Sequence, residues 1–213
     1  MSNFSDFLVQ NYAPHFGVVW NAKTMFLRIE SPKAVRFELE DKKQTIIQPP
    51  SHGISVMRRN ADAVEIIDME EFTKLIHGTS HTPCSCDFVI SPEIGFNFIV
   101  LNELTKTESN YILPFRQPLT GIDQEGKLEH AKKQLLDTIN RLYEVSNFCD
   151  QYTEKVALFS CRLSDKTKNG FMARSAKSFN KSVYMLQKLK LRIVLPHDFV
   201  FKMRVYDSEY RLS

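Results

Sequence analysis

The stretch from Cys84 to Thr105, CSCDFVISPEIGFNFIVLNELT, constrains the fold more than any other part of the chain. It holds two apolar runs, CDFVI and FNFIVLNEL, parted by Ser-Pro-Glu-Ile-Gly. Aromatic and β-branched residues bounded by Pro and Gly predict two strands joined by a turn over 86–104. Asp87 heads the first run and Glu103 stands near the tail of the second. A carboxylate taken out of water needs a partner, so acids at these two positions call for a reason. Side chains alternate across a strand, which sends Glu103 and Thr105 to one face and Leu104 and Lys106 to the other. With Asp87 facing the same way on the partner strand, Asp87, Glu103 and Thr105 form one cluster. Two carboxylates brought together are a natural seat for a hard divalent cation, Mg²⁺ or Mn²⁺.

The flanking sequence supplies a frame for that pair. A short amphipathic helix is expected over 5–11. Apolar runs at 16–20, 25–29, 35–39 and 44–48, separated by polar turns, predict an antiparallel meander. Asp68 reads as the N-cap of a helix MEEFTKLIH that Gly78 ends, while 64–67 fits either a strand or the start of that helix. After a long polar connection over 106–127, Leu135, Leu136, Ile139, Leu142 and Tyr143 recur at helical spacing and predict a helix over 128–145. A strand over 155–163, a helix over 175–189 and strands over 191–195 and 199–206 complete the chain. The expected class is α/β (α+β), a central mixed sheet flanked by helices with an additional N-terminal antiparallel meander. The expected division is a β-rich region over 1–60, packed on the core or standing beside it, and an α/β core with a basic C-terminal part over 61–213.

The succession of a helix with acids (Glu70, Glu71), CDFVI, FIVLNELT, a helix carrying AKKQL and the strand KVALFSCRL resembles the PD-(D/E)xK, or restriction-endonuclease-like, nuclease superfamily. The resemblance covers about residues 65–165. It implies Asp87 and Glu103 as metal ligands, with Glu71 or Glu70 as a third, and Gln134 in support. At the family's lysine position this chain has Thr105. The resemblance then implies that Lys132 or Lys133 on the following helix, or Lys74 on the preceding one, supplies the positive charge; otherwise the chain is a catalytically degenerate binding or assembly subunit. The function implied is metal-dependent hydrolysis of phosphodiester bonds in DNA, with RNA as the alternative, and the setting that of a bacterial defence effector.

The composition is that of a globular protein able to bury a core, 43% hydrophobic and 25% charged. A net charge of +3 is too small to argue for nucleic acid by itself. The run 162–192 is different: it holds nine Lys or Arg with Asp165 as its only acid, and could attract a phosphate backbone. The expected partners are therefore nucleic acid, DNA first, together with a protein partner or a second copy of the chain. No apolar run has the roughly 20 residues a membrane span needs, and four cysteines are few for a disulfide scaffold, so a cytoplasmic setting is expected. His77, His81, Cys84 and Cys86 crowd into ten residues and are a candidate zinc site, although their spacing fits no common knuckle. Asp137 and Arg141 are expected to pair on the surface of the long helix. There is no phosphate-binding glycine loop, dinucleotide fingerprint or helical H-E-x-x-H, which argues against those chemistries.

Overall fold

The computed structural model describes residues 3–40, 46–47, 53–60, 63–80, 82–107, 111–117, 120–163, 193–205 and 209–212. The helix expected over 175–189, and all of the basic run except Arg162, lie outside the described residues.

Three layers are stacked. The middle one is a seven-stranded mixed sheet. Its first half is antiparallel: β1 (Ile29–Glu30) pairs with β5 (Val64–Asp68), β5 with β6 (Phe88–Pro92), and β6 with β7 (Phe98–Thr107). The second half is parallel, β7 to β10 (Glu154–Leu163) and β10 to β12 (Val200–Val205), and β11 (Ile193–Val194) closes the edge antiparallel to β12. Parallel neighbours require a crossover connection. The crossover from β7 to β10 contains a small hairpin, β8 (Phe115–Arg116) and β9 (Asp123–Gln124), and the helix α4 (Lys127–Val145).

Alternation along the strands divides two cores. On one face Ile67, Val89, Ile99, Leu101, Ala157 and Phe159 meet the helical layer. That layer comprises α4, α3 (Met69–His77), and an N-terminal helical segment running from α1 (Phe4–Phe7) through a π-helical turn (Leu8–Tyr12) into α2 (Ala13–His15). The apolar stripe of α4, Leu128, Ala131, Leu135, Ile139 and Leu142, is buried here. On the opposite face Ile66, Phe88, Ile90, Val100, Val156 and Leu158 pack against Phe37, Leu39, Met57, Tyr210 and Leu212 of a second, four-stranded sheet. Its order is β13 (Tyr210–Arg211), β4 (Ser55–Arg58), β2 (Arg36–Leu39), β3 (Ile46–Ile47).

The expected α/β class with a mixed central sheet flanked by helices is what the chain adopts, and the small sheet is the additional β layer. The N-terminal meander differs in detail. Residues 16–28 form no strand: Asn21 turns the chain by accepting from Thr24 N and Met25 N, and Phe16, Val18, Trp20, Met25 and Leu27 lie against the helical core as coil. In the small sheet β2 sits between β3 and β4, and β13 from the C-terminal end adds parallel to β4. Residues 1–60 thus contribute to both cores, and β1 joins the large sheet.

The cap of α3 forms as expected. Asp68 accepts from Glu71 N at 3.0 Å, and Gly78, with φ of 76°, takes the C-terminal position that favours glycine. Residues 64–67 resolve as strand. Among the described residues no helix is long and apolar enough to cross a membrane.

Candidate active site

Register builds the site. Phe88 pairs with Asn102, Val89 with Leu101 and Ile90 with Val100. One step further along this antiparallel pair, Asp87 falls opposite Glu103, and directly opposed residues share a face. The face is that of the helical layer, since Val89, Ile99 and Leu101 belong to that core. On the other flank Glu103 pairs with Phe159 and Thr105 with Cys161, both buried. Glu103 and Thr105 thus alternate to that face at the C-terminal end of β7, and Asp87 stands across from them at the head of β6. Lys106 is exposed, and its neighbour across β10 is Arg162.

The two acids sit differently. Glu103 is 5% exposed, whereas Asp87 is half-buried. Asp87 lies just before β6, and its Oδ2 accepts a hydrogen bond of 2.6 Å from Leu104 N, continuing the ladder by a side chain. Its own carbonyl accepts from Met69 N at 2.9 Å, which fixes the first turn of α3 beside it. Cys86 records both charges: burial pushes its thiol well above the ordinary range, and the carboxylates of Glu103 and Asp87 push it further. A buried thiol held in that form is no nucleophile.

The segment leading into Asp87 is gripped by one face of α4. Gln134 Nε2 donates to the Ser85 carbonyl at 3.3 Å. Thr138 Oγ1 accepts from Cys86 N at 2.8 Å and donates to the Gln134 carbonyl at 2.8 Å. Arg141 Nη2 donates to the Cys84 carbonyl. Residues 134, 138 and 141 share a helix face, and together they anchor three successive backbone units. Gln134, which the resemblance implies in support, thus holds the backbone ahead of Asp87. Thr138 and Arg141 were not legible as site residues: Thr138 reads as an ordinary helix position, and the surface pairing expected of Arg141 with Asp137 gives way to this inward contact. The only usable signal was that 134, 138 and 141 share a face.

The remaining candidates are engaged elsewhere. Lys74 Nζ lies 2.7 Å from Glu71 and 3.0 Å from Glu70, and these bonds raise its pKa. Lys132 Nζ lies 3.1 Å from Glu129 and over the ring of Phe201. Lys133 Nζ lies 2.6 Å from Glu125, which raises its pKa. Each lysine offered as a substitute for the missing motif residue has an acid of its own. Glu71 is likewise turned to Lys74, and among the described residues no three His, Cys, Asp or Glu gather as a metal site. Of the three expected ligands, Asp87 and Glu103 stand at neighbouring strand ends, while Glu71 pairs with Lys74. The zinc reading fares no better: Cys84 is exposed, Cys86 is buried with its thiol toward the Phe88 carbonyl, the His77 ring packs edge-on to Phe16 at 4.7 Å, and His81 lies outside the described residues.

Two carboxylates at the end of a strand pair, one of them half-exposed, suit a hard cation that keeps much of its water, which is how Mg²⁺ commonly binds. Comparison with protein-family models, curated proteins and solved structures finds no match for this chain.

Proposed function

We propose that this protein is a metal-dependent nuclease that hydrolyses phosphodiester bonds, with DNA as the first substrate class and RNA as the second. The observation that carries the reading is the juxtaposition of Asp87, at the head of β6, and Glu103, near the tail of β7. Asp87 and Glu103 are the residues to hold Mg²⁺ or Mn²⁺, which when bound supplies a Lewis acid and a more acidic water. The chain's own part is positioning. The Leu104 N–H fixes one Asp87 oxygen, β7, paired with β10, carries Glu103, and α4 fixes the segment that delivers Asp87. Thr105, two residues beyond Glu103 on the same face, places a hydroxyl where the family has an amine. A hydroxyl can orient a water or a phosphate oxygen but brings no positive charge.

That difference supports a second reading, a nuclease-like fold kept for binding or assembly. The pairing of Lys74, Lys132 and Lys133 with acids outside the cluster favours it.

Cleavage of plasmid, linear duplex, single-stranded DNA and RNA, with Mg²⁺, Mn²⁺ or EDTA, separates the two. The nuclease reading expects metal-dependent cleavage that Asp87→Asn and Glu103→Gln both abolish while folding is retained. Cleavage that survives both substitutions would remove these acids from the chemistry. Absence of cleavage on every substrate would favour the binding subunit.

A further inference from the structure

The outer face of the small sheet carries an unusual row. Arg36 of β2 pairs directly with Arg58 of β4, and Arg58 pairs directly with Arg211 of β13. Three arginines thus stand side by side across three adjacent strands, at the spacing of roughly 4.8 Å set by strand separation. Their chain neighbours Phe37, Met57 and Tyr210 point the other way into the core, so the guanidinium groups share the outward face. Their side chains are 48%, 52% and 79% exposed.

Like charges directly opposite one another cost a sheet stability. Glu209 mitigates that cost. Its carboxylate lies 3.5 Å from Arg36, 3.7 Å from Arg58 and 3.9 Å from Arg211. These separations are longer than a close charge-assisted bond, so one acid gathers three cations without neutralising them. The buried Glu38 adds a distant contact of 3.9 Å to Arg36. Arg59, next along, is engaged differently: its guanidinium donates to the carbonyls of Lys33, Ala34 and Asn60 and secures the loop before β2.

We propose that Arg36, Arg58 and Arg211 form a docking surface for the phosphate backbone of a nucleic acid. Planar guanidinium groups donate in pairs to phosphate oxygens, and a row of them held by β-structure is organised before the ligand arrives. The choice of nucleic acid among polyanions rests on the nuclease reading above; the surface itself does not. The row stands on the far side of both sheets from Asp87 and Glu103. It therefore anchors the strand at a distance from the scissile bond and sets affinity rather than chemistry.

The test is binding of fluorescein-labelled single-stranded and duplex DNA, read by anisotropy across a salt series. Asp87→Asn protein in EDTA serves as the reference, so that cleavage plays no part. The triple variant Arg36→Gln/Arg58→Gln/Arg211→Gln in that background is expected to bind at least about tenfold more weakly near 0.1 M salt, and to flatten the log–log salt slope by about 2–3. Arg58→Lys, which keeps the charge, is expected to retain most of the affinity. Circular dichroism and the unfolding midpoint establish that the variants fold; if the triple variant does not, Arg211→Gln alone, at the most exposed position, is expected to lower the slope by about one. Unchanged affinity and slope in the folded variants would overturn the proposal, as would failure of the reference protein to bind either DNA. Equal binding of poly-glutamate and DNA would assign the face to acidic protein and overturn it as well. Loss of binding in the triple variant, with no cleavage by wild type on any substrate, would uphold the docking surface and sink the nuclease reading alone.

Discussion

Replacing Asp87 tests whether its carboxylate has a structural task separate from its proposed chemistry. Asp87→Ala removes the acceptor of the 2.6 Å bond from Leu104 N. Leu104 is 6% exposed, so its N–H has little access to water. A hydrogen bond to a charged group contributes about 1.5–3 kcal/mol, and a neutral one about 0.5–1.5. Asp87→Asn keeps a carbonyl oxygen in the same place and exchanges the first kind of bond for the second. Both variants remove the negative charge opposite Glu103, so any change in repulsion between the two acids is common to them and cancels in their difference. What remains is the neutral hydrogen bond itself, and Asp87→Ala should be less stable than Asp87→Asn by about 1 kcal/mol. In a chain of 213 residues that is about 2–4 °C in Tm. Urea unfolding at pH 7 in EDTA gives the difference directly, provided the slopes agree. Cleavage should be lost in both. Equal stability, or a more stable alanine variant, would show that the Leu104 bond contributes nothing and that Asp87 is not a ladder residue.

Gly126→Ala should destabilise by about 1–3 kcal/mol, because a Cβ there would lie 2.3 Å from the Leu113 carbonyl carbon and 2.4 Å from the Ile112 oxygen; thermal unfolding within 1 °C of wild type would refute this. His197 and Asp198, in the turn before β12, both have positive φ, 57° and 64°, so Asp198→Gly should raise stability by about 0.5–1 kcal/mol. His197→Gly should not show that gain, since it loses the ring stacked on Tyr143 at 3.6 Å; denaturant midpoints of the two variants decide. Burial raises the pKa of Glu65 despite hydrogen bonds from Ser91 and Ser5. Its folded form holds a proton more tightly than its unfolded form, so its contribution is complete below the ordinary carboxylate range and is lost as pH rises through the folded value. Glu65→Gln should therefore gain on wild type as pH rises above the ordinary carboxylate range in urea unfolding, and a gap that moves the other way would contradict the shift.

How much of this was legible in the sequence depended on the range of the interaction involved. The Asp87–Glu103 opposition was readable because a turn of Ser, Pro and Gly between two apolar runs fixes a hairpin, and a period of two then fixes the face. The caps of α3 and the buried stripe of α4 are equally local. Residues 16–28 misled because an apolar run marks packing and not strand; Val18, Trp20, Met25 and Leu27 lie half-buried as coil against the helical core. The partnership of β13 with β4 joins residues about 150 apart and leaves no local trace. The same holds for the grip of Thr138 and Arg141 on Cys86 and Cys84, which depends on how the helical layer lies across the strand ends.

The arginine row shows how strand pairing can align charges that lie far apart in the sequence. Arg36, Arg58 and Arg211 come from three distant places; Arg36 stands between Val35 and Phe37 and Arg211 between Tyr210 and Leu212, whereas Arg58 is followed by Arg59. Only the strand order β13–β4–β2 aligns them. A sheet tolerates such alignment because Glu209 stands among the three cations, and it gains from it only if something negative approaches from outside. The acid pair poses the mirror problem on the opposite side of the large sheet, where two carboxylates share a face and call for a cation. On the proposed reading, substrate phosphate would answer the first and a divalent ion the second. A protein that hydrolyses phosphodiesters needs both, which is why the two features, remote in sequence and separated by two layers of structure, support one reading.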